Sequence, residues 1–300
     1  MIDGNTQLVG LIGWPVGHSL SPAMHNAAFD AVKLNWRYVP LSVPPRQIEA
    51  AVFALAALGF RGANVTVPHK QAVISALDSV ASNAGDLGAV NTLVLNRTED
   101  QATTIRGYNT DSEGFLAALE HKGVAPGGLR NAVVIGAGGA ARAIVHALLR
   151  SGNAKIAVLN RTFERAQALV LDLGLGVKEE PRLRALPLTL ETLGESAEAA
   201  DLLVNATTVG MWPHVEQSIW PFQLRIPAHL TVFDLVYNPL QTRFLEQTQR
   251  SGARAISGYE MLVQQGALAF EIWTEEPAPA EVMRNACKRA LRKGAEAVRS

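Results

Sequence analysis

The chain has 300 residues, 48% of them apolar and 18% charged, and its 27 Lys and Arg balance 27 Asp and Glu. This composition excludes a disordered chain, and the length suits about two domains with a core in each. Zero net charge argues against a protein built to bind nucleic acid, and the longest apolar run, residues 50–60, is too short to cross a bilayer.

Residues 1–7 carry neither a basic nor an apolar signal region, and the single cysteine, Cys287, cannot close an intramolecular disulfide. Together these imply a reducing, cytoplasmic setting.

The first predicted strand covers residues 8–13 and ends on Gly13. Ser21 and Pro22 then read as an N-cap and first helical residue, with small and apolar residues following at helical spacing. A strand at 38–43 and an Ala-rich helix at 47–58 come next. The run Ala63-Asn64-Val65-Thr66-Val67 alternates as a strand and stops at Pro68, and a helix is expected over 70–77. Strands at 90–95 and 102–106 are joined across a polar turn at 96–100. Thr110 and Glu113 fit a capping box that opens a helix at 112–122, placed as a link between two domains.

Beyond the Pro126-Gly127-Gly128 break the pattern becomes regular βαβ: strand 132–135, helix 140–150, strand 155–159, helix 163–171. Strands at 202–205 and 231–235, a helix at 242–250 and a strand at 253–256 follow. Helices at 259–274 and 280–297 close the chain. The alternation predicts an α/β protein with a parallel sheet in each half.

Gly136-Ala137-Gly138-Gly139-Ala140-Ala141 fits the dinucleotide fingerprint and sits where the fingerprint needs to be, after a strand and opening a helix. Gly136 permits the tight turn, Gly138 the approach of a pyrophosphate, and Ala141 close helix–strand packing. An ordinary Gly-rich turn is the plain alternative. The next strand ends at Asn160-Arg161-Thr162, where an NAD enzyme usually carries an acidic residue for the ribose hydroxyl. A guanidinium at Arg161, with Arg165 one turn on, suits the 2′-phosphate of NADP; a surface Arg pair is the alternative.

In the first half, the strand–loop–helix junction from Gly13 to Asn26 places Ser19 and Ser21 at a helix start, which suits a carboxylate, although plain capping explains Ser21 as well. Asn64-Val65-Thr66-Val67-Pro68-His69-Lys70 puts a cation at the expected start of the 70–77 helix, against the local dipole rule. His69 competes with Lys70 as a candidate base. The seven His form no ligand cluster, so no metal is expected.

These stretches resemble the shikimate dehydrogenase family. Further matches follow in the same order along the chain: Gly88-Ala89-Val90-Asn91-Thr92, Tyr108-Asn109-Thr110-Asp111, the fingerprint, Asn160-Arg161-Thr162, Asn205-Ala206-Thr207 and Gly258 to Gln265. The resemblance implies two α/β domains with an active-site cleft between them. Residues 1–110 would form the substrate-binding catalytic domain and 111–257 a Rossmann-type NADP-binding domain. The C-terminal helices, 258–300, would pack back on the first. It implies that Ser19 and Ser21 bind the substrate carboxylate and that Thr66, Asn91, Asp111 and Gln265 hold ring hydroxyls. Lys70, paired with Asp111, would be the general acid/base. Tyr237 would line the substrate site from the cofactor side. Leu235 and Gly258 would lie near the nicotinamide, and Gly136, Ala137, Gly138, Gly139, Ala140, Asn160, Arg161, Thr162 and Arg165 would hold the rest of NADP.

The implied reaction is the NADPH-dependent, reversible reduction of 3-dehydroshikimate to shikimate on the way to chorismate and the aromatic amino acids. Its partners are then small molecules, with no nucleic acid and no membrane. Two alternatives stay open: a quinate/shikimate dehydrogenase using NAD or NADP, and a non-catalytic NADP-binding regulatory protein on the same scaffold. The second should lack Lys70 or Asp111, and both are present.

Overall fold

A computed structural model describes residues 2–97, 102–174 and 182–297. Residues 98–100 of the predicted turn at 96–100, and the chain end at 298–300, lie outside the described residues. The chain divides into two compact units, one formed by Met1–Thr110 with Val263–Ser300 and the other by Asp111–Leu262. The sequence placed the second boundary at 257/258; the division falls at 262/263, inside a continuous helix.

The first unit contains β1 (Gln7–Gly13), α1 (Ser21–Ala31), β2 (Trp36–Ser42), α2 (Ile48–Ala57), β3 (Gly62–Val65), β4 (Ser79–Val80), α3 (Ser82–Leu87), β5 (Thr92–Arg97) and β6 (Thr103–Tyr108). Its six strands run in the order β2-β1-β3-β5-β6-β4. The expected all-parallel sheet is in fact mixed. β1 pairs parallel with β2 and β3, whereas β5 lies antiparallel to both β3 and β6. β5 and β6 follow one another in sequence and pair antiparallel, while β1, β2 and β3 are joined through helices.

The other unit contains α4 (Asp111–His121), β7 (Asn131–Ile135), α5 (Gly139–Ser151), β8 (Lys155–Asn160), α6 (Phe163–Gly174), β9 (Leu183–Pro187), α7 (Leu190–Ala199), β10 (Leu202–Asn205), β11 (Thr231–Asp234), α8 (Arg243–Arg250) and β12 (Arg254–Ser257). Then α9 (Tyr259–Thr274) carries the chain across the division, and α10 (Ala280–Ala297) belongs to the first unit. The sheet order is β12-β11-β10-β7-β8-β9, and every pair is parallel. β7 and β10 are neighbours although three helices and two strands separate them in sequence. This reversal is the switch point outside whose carboxyl ends ligands bind in open α/β sheets.

Such a sheet must be apolar on both faces. Val134, Val158 and Val204 point to one face with Phe115 and Leu119 of α4 and Ile144 and Leu148 of α5. Val133, Ile135, Leu159 and Leu203 point to the other with Leu193 and Ala197 of α7. Phe115 and Phe233 meet with ring centroids 5.2 Å apart, each wholly buried; burial of each is worth about 1.5–3 kcal/mol. Among the described residues no helix is long and apolar enough to cross a membrane.

Candidate active site

In the middle unit, β7 runs into the Gly136 turn. Gly136 has φ +114°, and a Cβ there would come within 3.0 Å of the Ala206 carbonyl oxygen, so only glycine fits. Its N–H donates to the Leu159 carbonyl at 2.8 Å. Gly138 is the N-cap of α5 and offers no side chain to the first helical N–H groups. Gly138, Gly139 and Ala140 are exposed, and a Cβ at Gly138 or Gly139 would meet nothing within 4 Å. The positive end of α5 therefore opens onto free space, as an incoming pyrophosphate requires. Ala137 is half-buried, and Ala141 is wholly buried in the core beneath.

At the end of β8, the Asn160 amide donates to the Thr162 carbonyl at 2.7 Å, which fastens the turn that carries Arg161. The Arg165 N–H donates to the same carbonyl at 3.1 Å. Arg161, Thr162 and Arg165 are exposed, and no carboxylate pairs with either arginine among the described residues. Two uncompensated guanidinium groups beside a helix start fit a phosphate.

The other edge of the switch point holds a buried network that the sequence did not disclose. Asp234, wholly buried, accepts from Asn205 Nδ2 at 2.8 Å, Thr242 Oγ1 at 2.6 Å and the Val236 N–H at 3.1 Å. Burial pushes its carboxyl above the ordinary range, while these three donors oppose the shift. The network fixes the segment holding Leu235 and Tyr237, both half-buried. Gly258 packs so closely that a Cβ would overlap the Leu235 carbonyl, so Leu235 and Gly258 are brought together.

In the first unit, a chain of buried polar groups links several predicted residues. The Ser21 hydroxyl bonds Tyr38, whose phenol donates to Asn64 Oδ1 at 2.8 Å. Asn64 Nδ2 donates to the Asn91 carbonyl at 3.2 Å and to Thr92 Oγ1 at 3.1 Å. Asn91 Oδ1 accepts from Thr92 Oγ1 at 2.9 Å and from the Thr110 N–H at 2.8 Å, while its Nδ2 donates to Thr110 Oγ1 at 3.0 Å. Thr110 Oγ1 in turn reaches Gln265 Oε1 at 3.5 Å. Ser21, Asn91 and Gln265 are thereby held in one network. Tyr38, Asn64 and Thr92 were not singled out, although a polar Asn inside the apolar run of β3 was the available signal. Burial holds the Tyr38 pKa well above its usual value.

Two local expectations are corrected here. Ser21 is not the N-cap of α1: Leu20 is, without a side-chain cap, and Ser19 Oγ accepts the Ser21 N–H at 3.2 Å in its place. The Thr110 hydroxyl, just before α4, bonds Asn91 and Gln265. Lys70 does not begin an α-helix. Its carbonyl accepts the Val90 N–H at 2.8 Å, so it is unavailable to the N–H four residues on, and only a short 3₁₀ turn, Ala72–Ala76, forms. The conflict with the helix dipole therefore does not arise.

Lys70 and Thr66 are half-buried. His69, by contrast, is almost wholly buried, with Nε2 2.7 Å from the Val43 carbonyl. A carbonyl can only accept, so that nitrogen carries the proton and is no base. Asp111 is buried at the first position of α4. Among the described residues no three His, Cys, Asp or Glu are grouped to hold a metal ion.

Three family descriptions match the chain: the shikimate dehydrogenase substrate binding domain over residues 11–93, shikimate/quinate 5-dehydrogenase over 124–217, and the shikimate 5′-dehydrogenase C-terminal domain over 258–288. A protein of Moorella thermoacetica named shikimate dehydrogenase (NADP(+)) is 48% identical over 291 residues, covering 97% of this chain and 95% of its own. The chain belongs to the shikimate dehydrogenase family. A second member of that name, from Methanopyrus kandleri, is 47% identical and covers 97% of this chain and 98% of its own. Among solved structures, the shikimate 5-dehydrogenase of Thermus thermophilus in complex with NADP(H) and shikimate is similar, with a TM-score of 0.82 and 38% identity. The likeness covers 95% of this chain and all of that one. The first family segment contains Ser19, Ser21, Thr66, Lys70 and Asn91, the second the fingerprint and Arg161, the third Gly258 and Gln265.

Proposed function

We propose that this chain catalyses the reversible, NADPH-dependent reduction of 3-dehydroshikimate to shikimate. The observation that carries this reading is near full-length identity of 48% to an enzyme of that name. The open start of α5 and the unpaired Arg161 and Arg165 on the same chain add to it. The fit to NADP rests on the missing side chains at Gly138 and Gly139, where the cofactor's pyrophosphate needs room, and on cations where a 2′-phosphate would lie. Asn160 and Thr162 shape that turn, and Leu235 and Gly258 would face the nicotinamide end. When bound, NADPH supplies a hydride to the carbonyl carbon.

The chain's own residues bind, orient and move a proton. Ser19 would donate to the substrate carboxylate, and Ser21, whose proton goes to the Tyr38 oxygen in the network, would turn its O–H to the carboxylate on binding. Ser19 accepts the Ser21 N–H, which leaves its O–H free to donate. Asn91 spends its side-chain carbonyl within the network, so it offers the ring an N–H. Thr66, Asp111 and Gln265 would hold the remaining hydroxyls, and Tyr237 would border the ring. Lys70 as ammonium gives a proton to the carbonyl oxygen during reduction; as amine it takes one from the hydroxyl during oxidation. We assign the substrate to the unit that begins the chain, in a cytoplasmic enzyme with only small-molecule partners.

The direct test is an assay of shikimate and quinate, each with NADP and NAD. Turnover of quinate above shikimate, or no turnover at all, would replace this reading. Arg161→Ala should weaken NADP roughly tenfold to a hundredfold, the scale of a hydrogen-bonded phosphate contact, and leave NAD nearly unchanged. Equal loss for both would remove Arg161 from 2′-phosphate recognition. Ser19→Ala and Ser21→Ala should each raise the KM for shikimate about tenfold with little change in kcat, because carboxylate contacts act alike in ground and transition states. A loss confined to kcat would show that these hydroxyls serve the chemistry instead.

A further inference from the structure

A cavity of about 490 Å³ opens at the amino-terminal edge of the middle unit's sheet, opposite the carboxyl ends that carry the fingerprint. Its lining includes Asn131 and Val133 of β7, Lys155 and Ala157 of β8, Arg182 and Arg184, and Ser196 of α7. Asn131 pairs in register with Lys155, Val133 with Ala157, and Ala157 with Arg184. Side chains alternate along a strand, so Lys155 and Arg184 project from the same face, diagonal to one another. This is the face that α7 covers through Leu193 and Ala197.

Among the described residues no carboxylate pairs with these cations. Lys155 and Arg184 have no ion-pair partner among the described residues, and neither Glu195 nor Glu198 of α7 pairs with them. The carboxylate of Asp201 is taken by the N–H groups of Arg130 and Asn131, at 2.7 and 2.9 Å. Arg182 spends one nitrogen on the Gly152 carbonyl at 2.6 Å and keeps its other donors. The second observation is Ser196. It is 5% exposed, it lines the cavity, and its hydroxyl has no hydrogen-bond partner among the described residues. A buried helical serine ordinarily satisfies its hydroxyl on the preceding turn.

We propose that this cavity binds a small organic molecule bearing a phosphate. Two guanidinium groups and an ammonium suit a phosphate's charge and bidentate geometry, and the Ser196 hydroxyl supplies a neutral donor. The floor of Val133 and Ala157 accepts an apolar portion. A volume of about 490 Å³ is in the usual range for small-molecule sites and exceeds what inorganic phosphate would fill.

Isothermal titration of the whole chain with inorganic pyrophosphate, at constant ionic strength in chloride, tests it. Arg184→Ala should weaken binding about tenfold, and Ser196→Ala, which changes no charge, about threefold. Shikimate turnover should be unchanged in both variants. Binding that survives both but is lost in Arg161→Ala would place the anion at the start of α5 and overturn the proposal. Loss with Arg184→Ala but none with Ser196→Ala would mean diffuse attraction without a formed site. That result, or no binding at all, would overturn the proposal too.

Discussion

Replacing Lys70 by Ala is expected to lower kcat by roughly 10²–10⁴-fold, the usual contribution of a positioned general acid/base. The KM for shikimate should move less, because Asn64, Thr92 and Thr110 also hold the set that contains Ser21, Asn91 and Gln265. Affinity for NADP should barely change, since the Gly136 turn and Arg161 lie in the other unit. Lys70→Arg should restore little, because a guanidinium keeps the charge but does not readily release its proton. The informative control is His69→Ala. That imidazole is sealed against the Val43 carbonyl at 2.7 Å, so its removal strands a buried acceptor and should cost about 1–3 kcal/mol of stability while kcat stays near normal. Steady-state kinetics beside urea denaturation separates the two. If His69→Ala lost turnover at unchanged stability while Lys70→Ala kept it, the proton would travel through the imidazole.

What the sequence disclosed and what it hid divide along the range of the interactions involved. The helices at 259–274 and 280–297 are where the periodicity put them, because an amphipathic stripe of four or more turns is a local signal. The fingerprint was readable for the same reason: strand, glycines and helix are consecutive. Lys70 was misplaced on a helix because the partner that denies it one, Val90, lies twenty residues away. β9 and α7 went unread. β9 carries Arg184 and Pro187 in a short, partly exposed edge strand, and α7 is capped reciprocally by Thr189 and Thr192, where the recognisable pattern has Glu or Gln. The Asp234 cluster and the Tyr38–Asn64 pair join strands far apart in sequence, and no spacing rule anticipates them. The residues assigned to chemistry were therefore easier to find than those that hold them in place.

One of those supporting residues should govern acid stability. His25, on α1, is wholly buried, stacked on Tyr38 at 4.5 Å and 6°, with Trp273 tilted against it at 5.3 Å. Neither ring nitrogen has a hydrogen-bond partner, and burial lowers its pKa from 6.5 to about 3. Folding therefore keeps the imidazole neutral. Below pH 6.5 the unfolded chain takes up a proton there, whereas the folded chain refuses it until about pH 3. The stabilisation is complete above 6.5 and is lost progressively as the pH falls through that window. Between pH 7 and pH 4 the loss should reach about 3 kcal/mol, a large part of a typical folding free energy. His25→Leu removes the titration and keeps an apolar group beside Gly266. At neutral pH the variant should be less stable by about 1 kcal/mol through the lost stack. Its stability should then fall less steeply with acid than that of the unaltered protein, so the gap closes and reverses between about pH 6 and pH 5.5. Urea midpoints measured across this range decide the matter: parallel curves for the two proteins would mean that His25 is already protonated, or solvated, in the native state. A steeper fall for the unaltered chain would locate its acid sensitivity in the ring that supports Tyr38, and through Tyr38 the Ser21 hydroxyl assigned to the substrate carboxylate.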